Sequence, residues 1–388
     1  MTELNMLFAL LRSVIFEQEI DKEIISPLDG EKLEKIYKIS EKHDLSHLVC
    51  AAVDKNRIPC DGETAKKFGK EVMTALFRAE NLVYEIERIG KALEKAGIDY
   101  VPLKGAVIRD KYPEPWMRTS CDVDMLVHEA QLEEAIETLK SELGYVCEDK
   151  KNYHDVDLFS PGGVHLELHF NIKENIPQLD LNLEKVWQYA SPSKDGAREY
   201  KLTREFFIFH IVAHAAYHFV GGGCGIRPFL DLYLLTRENY DQKEVEKLCA
   251  ECGIEEFFAA ALALSDVWLG DSEHTALTRR MEEYIICGGV YGTVEAHIAA
   301  RQENRGGKMG YVTSRIFVSY DHLKLKYPSL KSRAMTPFYQ VRRWVDVFGK
   351  RRLSRSLNEL QTTQNLDKNK VEAINSLMHD LKLNDHIK

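Results

Sequence analysis

Two aspartates alternate with apolar residues in a stretch that has the pattern of a β-strand. Residues 122–127 read Asp-Val-Asp-Met-Leu-Val. Successive side chains of a strand point to opposite faces, so Asp122 and Asp124 share one face and the apolar residues between them share the other. Charged residues of this kind also occur on exposed edge strands. Two carboxylates on one side of a rigid strand nevertheless favour a metal site over a core.

A third acid is predicted to lie on a neighbouring strand. Residues 153–160 and 164–170 have strand patterns and flank Pro161-Gly162-Gly163, a strong turn signal. In the second arm polar residues alternate with apolar ones, which places Glu167 on a solvent or cleft face. The first arm offers two rival acids, Asp155 and Asp157. Glu167 is the preferred third member of the acid cluster.

A glycine turn with an adjacent cation precedes the aspartates. Residues 98–103 read as a short strand, and Lys104-Gly105 then opens a short helix over residues 106–111. Three carboxylates from neighbouring strands, with such a turn before them, are what a two-metal phosphoryl-transfer site requires. Carboxylate oxygens suit Mg²⁺.

These motifs resemble the nucleotidyltransferase superfamily, whose palm is of the DNA polymerase β type. That pattern is a glycine, then about a dozen positions later two alternating acids, and a third acid on a later strand. Gly105, Asp122, Asp124 and Glu167 occupy those places. Residues 80–240 are similar, more specifically, to the bacterial family called nucleotidyltransferase family 5.

The resemblance implies an α+β fold in which a small mixed-sheet palm is flanked by N-terminal and C-terminal helical regions. It implies transfer of a nucleoside monophosphate from a nucleoside triphosphate to an acceptor hydroxyl, with release of pyrophosphate. Asp122 and Asp124 would hold Mg²⁺, with Mn²⁺ as a substitute. Glu167 would complete the metal site or accept the proton of the acceptor, which can be a small molecule, a sugar, a protein or RNA.

The same resemblance implies a phosphate-binding role for the glycine turn. Gly105 would let the backbone approach the triphosphate, and Lys104 and Arg118 would neutralise its charge. Ala106 departs from the wider superfamily, where many members have serine, so one hydroxyl donor is missing. This departure leaves open an alternative, a non-catalytic nucleotide-binding regulatory module.

Helical periodicity surrounds the proposed palm. A long helix is predicted from Thr64 to Ala96, ended by Gly97. The pattern is helical again from Leu181 onward, including one stretch over residues 245–269. The predicted regions are a helical N-terminal region over 1–95, the palm over 96–178, a helical domain over 179–300 and a basic helical region over 301–388.

Three histidines recur at four-residue spacing on one face of the helix predicted from Arg204 to Phe219: His210, His214 and His218. A role in packing or acceptor binding at the domain junction is preferred. A metallohydrolase that binds Zn²⁺ or Mn²⁺ through His214 is a further alternative. Arg227 and Asp231, four positions apart on the next helix, are predicted to form an ion pair that supports the junction.

Bulk composition is that of a globular protein. The chain has 388 residues, of which 44% are hydrophobic and 29% charged. No run approaches the roughly 18 apolar residues of a membrane span, and the N-terminus has no basic leader. Eight scattered cysteines suit a reducing compartment, so we expect a cytoplasmic protein. Cys249 and Cys252 are interpreted as ordinary helix cysteines.

The charge is unevenly distributed. The net charge is −9, yet residues 301–355 contain fourteen lysines and arginines and three acids. Aromatic residues alternate with these charges, a mixture that suits base stacking and phosphate contacts. A solvated surface is the simpler interpretation, and contact with RNA or another anionic acceptor is the alternative.

Overall fold

The computed structural model describes most of the chain: residues 2–290, 320, 323–324, 327, 329–349 and 368–383. Most of the basic region over 301–355 lies outside the described residues. Its predicted contact with RNA therefore stays a prediction.

Five helices precede the first strand. They are α1 (Glu3–Ile15), α2 (Lys22–Ile25), α3 (Gly30–Lys42), α4 (Ser46–Lys55) and α5 (Gly62–Ala96). The predicted long helix is confirmed as α5. Gly97 follows it with a φ of 76°, a left-handed conformation that glycine adopts without strain, so the helix ends there.

One mixed sheet carries the candidate site. Its strands are β1 (Tyr100–Pro102), β2 (Asp122–Val127), β3 (Val146–Lys151), β4 (Asp155–Phe159) and β5 (His165–His169). They lie in the order β1-β2-β5-β4-β3, with β2 and β5 parallel and the other pairs antiparallel. Helix α6 (Gly105–Ile108) follows β1, and α7 (Leu132–Leu143) follows β2. This small mixed sheet among helices confirms the predicted α+β class.

Helices α5 and α7 cover the apolar face of the sheet. The buried side chains on this side come from both helices and from the strands, and they include Leu82, Ile89, Leu93, Leu132, Leu139, Val123, Met125 and Leu168. Burying each such side chain stabilises the fold by roughly 1.5–3 kcal/mol. The packing fixes which face of β2 and β5 is apolar, and the acids are thereby directed to the opposite face.

A second, larger group of helices follows the sheet. The elements are α8 (Pro177–Leu183), β6 (Ala190–Pro192), β7 (Tyr200–Leu202), α9 (Arg204–Gly221), α10 (Arg227–Thr236), α11 (Gln242–Glu251), α12 (Glu255–Leu269), α13 (Ala276–Gly288), α14 (Thr336–Gly349) and α15 (Lys368–Asp380). The sequence predicted only helices after Leu181, and the β6–β7 pair corrects this. Strands of three residues are too short to show a period of two. The predicted helix over 245–269 is also divided, at Gly253, where φ is 66°.

The cysteines are free thiols. Cys249 lies in α11 and Cys252 directly follows that helix, and both are buried in the core of the helical group. Within the described ranges, no helix is long and apolar enough to cross a membrane.

Candidate active site

The three predicted acids share the polar face of the sheet. The parallel register of β2 and β5 pairs Asp124 with Glu167 and Asp122 with His165. Paired residues of adjacent strands project to the same face, so these four side chains lie close together. Asp124 is buried, whereas Asp122 and Glu167 are partly exposed. The site therefore has one enclosed acid and two that solvent reaches.

Lys104 lies at the end of β1 and contacts the enclosed acid. Its Nζ is 2.9 Å from Oδ1 of Asp124. The backbone of Lys104 has φ 39° and ψ −116°, a conformation that glycine adopts far more readily than lysine. Holding another residue in such a region costs about 1–3 kcal/mol. The chain thus keeps a cation at a strained position beside a buried carboxylate.

His169, to which the sequence analysis assigned no role, contacts the same carboxylate from β5. Its Nε2 is 3.0 Å from Oδ1 of Asp124 and 3.5 Å from Oε2 of Glu167. Ionised carboxylates only accept hydrogen bonds, so Nε2 carries the proton. Burial opposes a charge on the ring, but the two carboxylates outweigh it and raise the pKa of His169 to about 8. The sequence signal for His169 is its position two residues after Glu167, which places both side chains on the same face of the strand.

The surroundings affect the two aspartates in opposite directions. Burial raises the pKa of Asp122, and the charges of Asp124 and Glu167 raise it further. Burial also opposes ionisation of Asp124, but Lys104 and His169 outweigh it and hold its pKa well below the usual range. The negative charge of Asp124 is therefore already balanced by Lys104 and His169. The carboxylates around Asp122 form a negative region that a further cation would neutralise.

Two overlapping groups on this face can hold a metal ion. The first group consists of Asp122, His165 and Glu167. The second consists of Asp124, Glu167 and His169. Within each group the ligand atoms lie within 4.8 Å of one another, and Glu167 belongs to both. The acids supply the oxygen donors that Mg²⁺ or Mn²⁺ prefers, so the predicted metal fits these residues.

A side chain at Gly105 would crowd the loop that leads into β2. A Cβ at this position would lie 3.3 Å from Cβ and 3.4 Å from Oγ of Ser120. Arg109, which the sequence analysis did not single out, donates from Nε to the carbonyl oxygen of Gly105 at 2.8 Å and from Nη2 to Oγ of Ser120 at 3.3 Å. These contacts join the glycine turn to the loop that leads into β2.

Asp231 on α10 holds the guanidinium of Arg118. Nε is 2.9 and 3.0 Å from the two carboxylate oxygens, and Nη2 is 2.8 Å from Oδ2. Tyr112 donates its hydroxyl to the same carboxylate at 2.8 Å. Nη1 of Arg118 donates to the carbonyl oxygen of Thr119 at 2.6 Å. These bonds fix the loop before β2 against the helical group.

The predicted ion pair between Arg227 and Asp231 is wrong. Arg227 pairs with the carboxylate of Asp44 and also donates to its carbonyl oxygen at 3.2 Å. Asp231 is buried and pairs with Arg118, which is 113 positions away. A four-residue spacing on a helix shows that two side chains can contact each other. It does not show whether a residue from another region of the chain binds one of them instead.

The histidines of α9 lie near the acids. Burial, followed by the charge of Lys104, lowers the pKa of His210 to about 3 and lowers that of His214 well below the usual range. Nδ1 of His214 is 2.7 Å from Oε1 of Glu174, and its Nε2 is 3.1 Å from Nε2 of His218. Over the described ranges, no metal-binding group includes these histidines, so a metallohydrolase centre at His214 gains no support.

A separate cleft of about 900 Å³ lies beyond the glycine turn. Its walls come from α5, α6 and the β6–β7 pair, and they include Met125 on the apolar face of β2. None of the three acids lines this cleft. Ala106 does line it, so the position of the missing hydroxyl borders this cleft.

Comparisons with known proteins place the chain in a family. A family model described as an uncharacterised nucleotidyltransferase matches residues 29–270, more than half of the chain. No curated protein is significantly similar to the chain. The crystal structure of an antigenic nucleotidyltransferase-like protein from Paracoccidioides brasiliensis is 16% identical, covers 48% of this chain and 93% of its own, and has a TM-score of 0.33. By the family match, the chain belongs to the family of uncharacterised nucleotidyltransferases.

Proposed function

We propose that this protein is a Mg²⁺-dependent nucleotidyltransferase. It would move a nucleoside monophosphate from a nucleoside triphosphate to an acceptor hydroxyl and release pyrophosphate. The observation that carries the proposal is the register of β2 against β5, which sets Asp124 beside Glu167 with Asp122 on the same face. Membership of a nucleotidyltransferase family supports the same class of reaction.

The metal would be held by the three acids. The bonds from Lys104 and His169 both fall on Oδ1 of Asp124, so we assign the other oxygen to the metal, together with Asp122 and Glu167. When bound, divalent cations stabilise the charge on the attacking and leaving oxygens of a phosphoryl transfer. Mn²⁺ would serve in place of Mg²⁺ because it accepts the same oxygen ligands.

The glycine turn would bind the phosphates. Lys104 keeps Asp124 ionised and adds positive charge beside it. Gly105 would let the backbone of the turn approach the phosphates. Arg118 lies near the turn with its charge matched by Asp231, so it would act by holding the loop before β2 in position.

Glu167 would either complete the metal site or accept the proton of the acceptor hydroxyl. Its carboxylate is partly exposed and lies on the same face as the metal ligands, so an acceptor can reach it. The α9 histidines would contribute to binding the acceptor at the junction with the helical group. The acceptor classes are a small molecule, a sugar, a protein and RNA.

Turnover of a labelled nucleotide tests the proposal. Wild-type protein with Mg²⁺ should transfer label from the α-phosphate of a nucleoside triphosphate to one of these acceptor classes. Asp122→Asn and Asp124→Asn should each lower the rate at least about 100-fold, because they remove charge from the site of the reaction. Asp157→Asn is the matched control, since Asp157 shares the face but is engaged by His165 and Asn152.

Equal turnover by wild type and the Asp122 and Asp124 variants, across all acceptor classes, would contradict the catalytic assignment. Nucleotide binding by a folded wild-type protein without any turnover would instead identify the non-catalytic regulatory module. The absence of a hydroxyl at Ala106 is the observation that favours this alternative.

A further inference from the structure

A third group of side chains that could hold a metal ion lies on the same sheet, away from Asp122. His154, Asp155 and His169 each offer a donor atom, and these atoms lie within 4.8 Å of one another. Asp155 and His169 are paired across β4 and β5, and both are buried. The nucleotide reaction proposed above uses neither His154 nor Asp155.

Hydrogen bonds determine which nitrogen of His154 is free. Its Nδ1 is 2.8 Å from the carbonyl oxygen of Lys173, which can only accept, so Nδ1 carries the proton of the neutral ring. Nε2 then has a lone pair, and it lies 2.9 Å from Oδ2 of Asp155. In the neutral ring these two acceptors repel each other, whereas a second proton on Nε2 would make the contact an ion pair. A cation between them would turn the contact into an attraction.

The same reasoning applies to His169. Its Nε2 carries the proton because it faces the carboxylates of Asp124 and Glu167. Nδ1 is buried and has no hydrogen-bond partner. In the neutral ring Nδ1 is a buried acceptor without a donor, and a second proton would make it a buried donor without an acceptor. Either state costs roughly 1–3 kcal/mol in a buried group, whereas a metal ion satisfies the lone pair.

We propose that His154 Nε2, Asp155 Oδ2 and His169 Nδ1 bind a divalent transition metal ion of the Zn²⁺ class. Two imidazole nitrogens and one carboxylate oxygen suit Zn²⁺ and disfavour Mg²⁺, which prefers oxygen ligands. The rings of His154 and His169 stack with centroids 5.3 Å apart.

The surrounding groups match those that orient metal-bound histidines. Such a histidine donates its other ring N–H to a carboxylate or a carbonyl oxygen, which fixes its orientation. The carboxylate of Asp124 accepts the N–H of His169, and the carbonyl oxygen of Lys173 accepts the N–H of His154. The metal would hold His169 in the orientation that places its N–H on Asp124. This site stands on its own ligands and does not depend on nucleotide transfer.

Metal binding by the full-length protein tests the proposal. The protein is stripped with a chelator, and Zn²⁺ is titrated against a chromophoric chelator in excess Mg²⁺, which occupies oxygen-only sites. We expect one equivalent of bound Zn²⁺, also seen by elemental analysis. His154→Ala should weaken binding by at least about 100-fold, since loss of even an outer partner costs 10-fold to 100-fold.

Two matched histidine variants serve as controls. His165→Ala removes a histidine from the group around Asp122, and His214→Ala removes one from α9, and both should keep Zn²⁺ affinity within about threefold. His154→Gln, checked by circular dichroism for native helix content, guards against misfolding of the alanine variant. Absence of Zn²⁺ binding by wild type would overturn the proposal. So would binding that survives in both folded His154 variants, or loss that is equal in His165→Ala.

Discussion

The buried pair of Arg118 and Asp231 should contribute more to stability than any surface ion pair in the chain. The side chains are 11% and 3% exposed, and three nitrogen–oxygen distances of 2.8–3.0 Å join them. Removing one member of such a pair leaves a buried charge without a partner, which costs about 3–5 kcal/mol. Tyr112 would also lose its acceptor. We therefore expect Asp231→Ala to lower the free energy of unfolding by about 3–5 kcal/mol.

Urea unfolding followed by circular dichroism measures this change. The double variant Arg118→Met/Asp231→Leu removes both charges and should recover most of the loss, because replacing a buried pair by apolar groups is often neutral. Lys95 and Glu142 form an exposed ion pair 2.8 Å long, so Glu142→Ala is the control and should cost no more than about 1 kcal/mol. A cost below about 1 kcal/mol for Asp231→Ala, or additive losses in the double variant, would refute the reasoning.

Two further predictions concern the glycine turn and acid stability. Gly105→Ala should lower the free energy of unfolding, measured in urea, by about 1–3 kcal/mol because the added Cβ crowds Ser120. Gly69→Ala is the control and should be stabilising, because a Cβ at that position in α5 meets open space. Equal effects of the two substitutions would contradict the crowding. Burial lowers the pKa of His43 from 6.5 to about 4, so the unfolded state binds the proton first and stability is lost as pH falls below 6.5. Between pH 7 and pH 5 this one group should remove about 2 kcal/mol of unfolding free energy, and His43→Gln should be less sensitive over that interval. An unchanged pH dependence in that variant would show that other groups dominate.

Local patterns in the sequence were enough to predict the elements that carry the site. The alternation around Asp122 and Asp124 predicted β2, and the turn signal at residues 161–163 predicted the hairpin. Glu167 was preferred over its rivals, and the register places it directly beside Asp124, while Asp155 and Asp157 lie one strand further away. Such predictions succeed because strand periodicity and turn chemistry depend on neighbouring residues.

The pairings between distant regions could not be predicted in the same way. Asp231 was assigned to Arg227 because helix spacing makes that contact available, but burial placed it beside Arg118. His169 was visible only as a polar residue in a strand, and its contact with Asp124 depends on the parallel register of two strands joined by a long connection. The sequence of a strand or helix predicts which side chains share a face. Tertiary packing determines which residues those side chains contact.

The polar face of the sheet concentrates several features that oppose stability. Lys104 has a strained backbone, Asp122 has a raised pKa because of burial and its acidic neighbours, and Nδ1 of His169 is buried without a partner. All three lie around Asp124, which contacts Lys104 and His169 directly. A sheet selected for stability alone would replace these residues with apolar ones, as it does on the face that packs against α5 and α7. Strain and unmatched polarity persist where they serve function. Their convergence on one carboxylate is therefore an argument for Asp124 as the centre of the site that does not depend on motif spacing.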